Sequence, residues 1–242
     1  MIKKIFRKFI KPYLPYTIEE KIIDFNYNLF HYKSYSQFGE DLVIKNFFEE
    51  FDSVEKKYLD IGCYHPKMIS NTYLLYKSGW KGTVVDTLDR KLKLFDKRRK
   101  GTVKTINKAV VSNEEENKFI EFYFFEQPFS AVDTSSKEFA ESMRTPKNNF
   151  IARNIECIKI NDLLSSENFD FVNIDIEGMD EIILSSVDFS KIHKPKLICF
   201  EKDKPFQNVD SNAIIKLKQN GYKHLFTSRL TVGYYLVNDI DK

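Results

Sequence analysis

The chain is 242 residues long, enough for one large domain or two small ones with a packed core. With 42% hydrophobic and 30% charged residues, its composition excludes intrinsic disorder as the overall state. Lys+Arg 38 against Asp+Glu 35 leaves a net charge of only +3, so no nucleic-acid partner is expected through bulk charge.

The first eleven residues, MIKKIFRKFIK, set Ile2, Ile5, Phe6, Phe9 and Ile10 on one helical face and Lys3, Lys4, Arg7, Lys8 and Lys11 on the other. Those charges interrupt the apolar run that a secretory signal needs. Two readings stay open: a short helix lying on an anionic membrane surface, or a helix docking its apolar face on the domain behind it. Pro12 and Pro15 end it. Residues 1–35 therefore read as a basic amphipathic helical extension and 36–242 as the main domain.

From there strands and helices alternate. The pattern predicts a helix over 36–51, a strand over 57–61, a helix over 69–78 stopped by Gly79, and a strand over 82–86 (GTVVD). A charged helix over 89–99 and a third strand over 103–111 follow, then an aromatic strand over 118–125. Residues 130–153 read as a long loop with a helical patch, and as a lid. Strands over 155–160, 169–174 and 196–200 come next, with helices over 179–187 and 211–220. Strands over 222–227 and 232–237 close the chain as a hairpin. Such alternation implies a parallel sheet covered on both faces, with ligands outside the carboxyl ends of its strands.

Several chemistries are excluded. None of the 8 glycines is spaced G-x-G, so the dinucleotide fingerprint is absent. Cys63, Cys157 and Cys199 are scattered and odd in number, which fits a reducing compartment better than a disulfide framework or zinc site. No run approaches 18 apolar residues. The expected location is the cytoplasm, peripheral at the inner face of the membrane if residues 1–11 bind there.

Two strand ends stand out. Gly62, after Asp60 and Ile61, lets the backbone turn and approach a ligand closely. Asp86 ends the next strand 24 residues later. An acid there can accept both hydrogen bonds of a ribose diol, or cap the turn that follows.

Four motifs carry a family resemblance. YLDIGCYHPKMISNTYLLYKSGWKG (58–82) holds a D-I-G-x-x-x-P turn, then S-N-T, then G-W. SQFGED (36–41) precedes it, NIDIEG (173–178) follows, and PKLICFE (195–201) ends in an acid. In this order they resemble the FkbM-type family of S-adenosylmethionine-dependent methyltransferases, from about Ser36 to Val237. The resemblance implies a class I methyltransferase, Rossmann-like α/β fold: a seven-stranded sheet, helices on both faces, last strand antiparallel. It implies O-methylation with S-adenosylmethionine as cofactor. A glycan or glycan precursor is the preferred acceptor, from the family's association with polysaccharide modification.

A hydroxyl acceptor must lose its proton, so the site needs a base or a metal. Asp175 and Glu177 end the fourth family strand, and alternation puts both on one side. They are candidates for the base, for a joint hold on a divalent cation, or for separate contacts to cofactor and acceptor. The alternative is that Asp175 caps the next helix and Glu177 is solvated. His65 is a further catalytic candidate, against a turn histidine bonded to backbone. Asp60, Gly62, Cys63, Asp86, Asn71 and Glu40 are the cofactor-binding candidates. Ser70 is expected to cap the helix after it, and Glu201 to face the acceptor side. No metal ligands are assigned. A divalent metal is the less favoured alternative, since only Glu201 offers a third carboxylate.

Two other classes remain in view. One is an NAD(P)-linked oxidoreductase, disfavoured by the missing G-x-G-x-x-G. The other is a non-catalytic protein that binds membrane surfaces through residues 1–35.

Overall fold

A computed structural model describes residues 33–51, 55–125, 130–145, 148–202 and 210–237. The amphipathic extension expected over 1–35 falls outside these apart from residues 33–35, and the contact expected through residues 1–11 falls outside entirely. From Ser34 onward the chain forms one compact unit.

Short apolar segments build the central sheet. They are β1 (Lys57–Ile61), β2 (Lys81–Val85), β3 (Val103–Ile106), β7 (Phe171–Ile174), β8 (Leu197–Glu201), β9 (Tyr222–Thr227) and β10 (Thr231–Leu236). Their order is β3-β2-β1-β7-β8-β10-β9. All neighbours run parallel except β10, which is antiparallel to both β8 and β9. The seven-stranded sheet with its reversed last strand, expected from the resemblance, is observed. β7 is buried along its whole length, as a central parallel strand covered on both faces must be.

Side chains alternate across the strands, which divides the core in two. Tyr58, Val84, Phe171, Leu197 and Cys199 meet Ile44 and Phe48 of α1 (Glu40–Glu49), Leu75 of α2 (Tyr73–Lys77), and Leu92 and Phe95 of α3 (Asp89–Arg98). Leu59, Ile61, Val172, Ile174, Ile198 and Phe200 meet Leu163 of α5 (Ile160–Leu164), Ile183 of α6 (Asp180–Ser185) and Leu217 of α7 (Asn212–Gln219). Among the described residues, no helix is long and apolar enough to cross a membrane.

Three expectations need correction. The third strand is two, β3 and β4 (Ala109–Val111), because Asn107 turns aside and donates its amide to the Asp86 carbonyl at 3.0 Å. The stretch 130–153 keeps its expected helical patch but does not stay a loop to its end. It holds α4 (Lys137–Met143), capped by Ser136 accepting from the Phe139 N–H at 3.2 Å, and the start of β6 (Phe150–Lys159). β6 pairs antiparallel with β5 (Phe119–Phe125) and parallel with β4, forming a second sheet of order β4-β6-β5. Much of β6 faces solvent, so no inside–outside alternation marks it in the sequence. Finally, Ile160 begins α5 rather than ending a strand.

Candidate active site

A cleft of about 300 Å³ opens at the carboxyl ends of β1, β2, β7 and β8. Gly62, Asp86, Val110, Asp175, Glu177 and Glu201 are among the residues that bound it. A smaller polar cavity of about 30 Å³ adjoins it, and Gly62 and Asp175 line both.

The turn after β1 has little freedom. Gly62 sits at φ +80° and donates its N–H to the Val85 carbonyl at 2.9 Å. A Cβ at this position would lie 1.7 Å from the Asp175 carbonyl oxygen. Glycine therefore lets the first turn close against the end of β7.

The next two candidates point elsewhere. The Cys63 side chain is 2% exposed in the core beneath α1–α3, so it is not a cleft-lining group. Burial, before any charged neighbour, pushes its thiol well up. His65 lines the smaller cavity, but its Nδ1 accepts the backbone N–H groups of Lys67 (3.1 Å) and Met68 (2.9 Å). That nitrogen braces the turn and is not free to act as a base. Burial, then Arg98 and Arg99, lowers its pKa.

Asp60 and Asn71 belong to one network. Asn71 donates to Asn173 Oδ1 (2.9 Å), Asn173 donates to Asp60 Oδ1 (3.0 Å), and Thr72 donates to Asp60 Oδ2 (2.7 Å). Behind them lies Arg99, fully buried. It donates to Tyr58 Oη (2.7 Å), Thr72 Oγ1 (3.0 Å), Ser70 Oγ (3.1 Å) and the Pro66 carbonyl (2.7 Å). Ser70 is thus held by Arg99. Thr72, not Ser70, is the first cap residue of α2. Arg99 escaped the sequence reading, although one signal existed: with Leu92 and Phe95 it continues the buried row of α3.

Asp86 shows the capping arrangement. Its Oδ1 accepts from the Leu88 N–H at 2.7 Å and its Oδ2 from Lys91 Nζ at 3.3 Å. It still borders the cleft, beside buried Lys91. Burial raises its pKa, while Lys91 lowers it.

SQFGED divides its two acids. The Asp41 carboxylate accepts from Ser34 Oγ (2.6 Å), the Tyr35 N–H (2.7 Å) and Ser36 Oγ (2.9 Å), which ties the entry to α1. Glu40 is 3% exposed and lines the smaller cavity. Its Oε2 accepts from the Phe38 N–H at 2.9 Å, while its Oε1 has no hydrogen-bond partner among the described residues.

Beyond β7, Asp175, Glu177 and Glu201 each offer a carboxylate oxygen, and these oxygens lie within 4.8 Å of one another. Glu177 has φ +53°, unusual for a residue with a side chain, and a hydrogen bond from Thr134 Oγ1 to its carbonyl (2.9 Å) holds it there. Burial first, then Glu201 and Asp180, pushes the Glu177 pKa up to about 8. Asp175 opens to the cleft, yet enclosure by protein, then Asp180, Glu201 and Glu177, raises it well above the usual range. Asp180, absent from the sequence candidates, accepts from the N–H groups of Ile176 (3.3 Å) and Glu201 (3.4 Å) and so joins the two strand ends. Burial and Glu201 raise it to about 7. Its signal was a third acid in DIEGMD.

Such a floor can share protons at neutral pH. Its hard oxygen donors also fit Mg²⁺ or Mn²⁺ better than a softer ion. The orphaned Glu40 oxygen and the turn at Gly62 suit a polar, cationic small molecule.

Residues 60–224 match the family described as Methyltransferase FkbM domain. The match takes in the DIG, DIEG and CFE segments, with SQFGED just upstream. No curated protein matches the chain.

Proposed function

Because the chain belongs to the FkbM methyltransferase family, we propose that it is an S-adenosylmethionine-dependent O-methyltransferase acting on a hydroxyl of a glycan or glycan precursor. One observation carries the reading: a carboxyl with pKa about 8, Glu177, stands with Asp175 on the floor of a cleft built on the Gly62 turn. A base is most useful when its pKa lies near the working pH.

When bound, S-adenosylmethionine supplies a methyl on a sulfonium, an excellent leaving group. The Gly62 turn would receive its methionyl side, Asp86 its ribose, and Ala109 with Val110 an apolar wall beside it. Asp175 would accept a hydrogen bond from a neighbouring hydroxyl of the acceptor and so orient the reacting one, whose own proton points at Glu177. Unprotonated Glu177 then takes the hydroxyl proton on a carboxylate oxygen. Thr134 and Gly178, at φ +89°, keep the Glu177 turn in its uncommon conformation. The glycan preference comes from the family's association with polysaccharide modification.

A second arrangement draws on the 4.8 Å grouping of Asp175, Glu177 and Glu201. These three would hold Mg²⁺ or Mn²⁺, which lowers a hydroxyl's pKa. Methyl transfer from labelled S-adenosylmethionine to extracted cell-surface glycans tests both readings. Label should enter glycan and survive EDTA if Glu177 is a plain base. Loss in EDTA with recovery in Mg²⁺ selects the metal arrangement. No incorporation into any glycan fraction, by protein that binds the cofactor, removes the glycan acceptor.

A further inference from the structure

The smaller cavity beside the cleft contains an acid that the chemistry above leaves unused. Glu40 opens α1, where the helix dipole favours negative charge. Its carboxylate is satisfied on one side only. Oε2 takes the Phe38 N–H, while Oε1 is buried with no hydrogen-bond partner among the described residues. An unmatched buried carboxylate oxygen is costly, and few persist without a ligand, ion or water to meet them.

The other polar groups of the cavity are largely committed. Both Asp60 oxygens accept hydrogen bonds, from Asn173 and Thr72, and Asn71 spends an amide hydrogen on Asn173. Asp175 supplies a second acid on the wall shared with the cleft. The space is thus acceptor-rich and negatively biased. Its volume of about 30 Å³ holds roughly one or two water-sized groups. That excludes a guanidinium or a ring and suits a primary ammonium. Because Gly62, Tyr64 and Asp175 line both spaces, a molecule in the cleft can extend one small end into the cavity.

We infer that Glu40 Oε1 is the ammonium receptor for the amino-acid end of the cofactor. The inference rests on the cofactor reading above and adds the group that recognises that end. Glu40 selects ligands carrying a free α-amino group over nucleosides that lack one.

Calorimetry on the full chain tests this with three ligands: S-adenosylhomocysteine, its analogue lacking only the amino group, and 5′-methylthioadenosine, which lacks the whole amino-acid end. A charge-assisted hydrogen bond is worth a factor of about ten or more in affinity. Wild type should bind S-adenosylhomocysteine at least about tenfold more tightly than the deaminated analogue. Glu40→Gln should bind these two alike and keep wild-type affinity for 5′-methylthioadenosine, which also shows that the variant is folded. If the variant does not fold, the wild-type comparison decides by itself, and equal affinity for the first two ligands overturns the inference. Undiminished S-adenosylhomocysteine binding by Glu40→Gln, or equal loss for all three ligands, overturns it too. If wild type binds none of them, the cofactor reading falls and takes the subsite with it.

Discussion

At the scale of single residues, Glu177 combines a pKa of about 8 with a left-handed backbone at φ +53°. If it is the base, kcat should rise with pH through about 8. Glu177→Gln should cost roughly 10²- to 10⁴-fold in turnover while cofactor affinity stays near wild type. A variant with near-wild-type turnover on the true acceptor would remove the assignment. The same shift affects stability. The folded chain keeps the Glu177 proton up to about 8, whereas an unperturbed glutamate loses it near 4.5. Between these values the folded state holds the extra proton, so this residue's contribution to stability falls as pH rises and is flat above about 8. Thermal melts of Glu177→Gln across that window should lack this part of the slope; parallel curves for variant and wild type would contradict it. Asp86→Ala removes a candidate ribose contact worth about 1.5–3 kcal/mol. Calorimetry should show S-adenosylhomocysteine binding weakened by about tenfold or more. Unchanged affinity would leave Asp86 as the cap of its own turn and the partner of Lys91.

At the scale of elements, the stretch around Thr134 is fastened to β5 and to the Glu177 turn. Thr134 pairs with Tyr123 through both backbone groups, and its hydroxyl holds the Glu177 carbonyl. Thr134→Val should cost about 1 kcal/mol locally, seen as faster amide exchange over residues 176–178 and lower kcat with little change in ligand affinity. Unchanged exchange there would detach this segment from the site. The lid expected over 130–153 meets the same facts, since its end belongs to a ten-residue strand. Strand ends were the legible part of this site. Gly62, Asp86, Asp175 and Glu177 stand out because they directly follow short apolar runs, at the strand ends where such a sheet opens its cleft. The supporting residues were less legible, because burial decides their roles. Arg99 looks like one more charge on a charged helix until its donors are seen to hold Tyr58, Ser70, Thr72 and Pro66. Cys63 and His65 follow the same glycine, yet one enters the core and the other caps a turn.

For the whole molecule, the alternation of apolar strands and amphipathic helices was enough to predict the central sheet. The smaller sheet was not foreseen, because no residue of β6 is fully buried and its partner in register, β5, lies beyond a loop and a helix. Arg99 ties three parts of the fold together: the end of α3, the loop before α2, and β1 through Tyr58. Arg99→Met leaves those acceptors and Asp60 without their cation, a loss of about 3–5 kcal/mol by analogy with broken buried ion pairs. At about 2–4 °C per kcal/mol for a chain of this size, the melting temperature should drop by roughly 6–20 °C. Arg99→Lys should not rescue it, since an ammonium cannot reproduce the planar fork. A drop of under about 2 °C in calorimetric scans would show that the surrounding groups satisfy one another unaided.

The reversed strand carries a further consequence, for the order of events at the ribosome. β10 lies between β8 and β9, yet it is translated after both. While residues up to about 221 are being made, the edge of β8, Leu197–Glu201, has no neighbour on that side. A released chain that ends at Gly221 presents an apolar ribbon that is open to pairing with other chains. The cleft cannot gain its Glu201 wall in final form until the closing hairpin has emerged. Holdase chaperones should therefore engage this protein after release and before the hairpin docks, and a chain ending at Gly221 should aggregate rather than accumulate as a partly active enzyme.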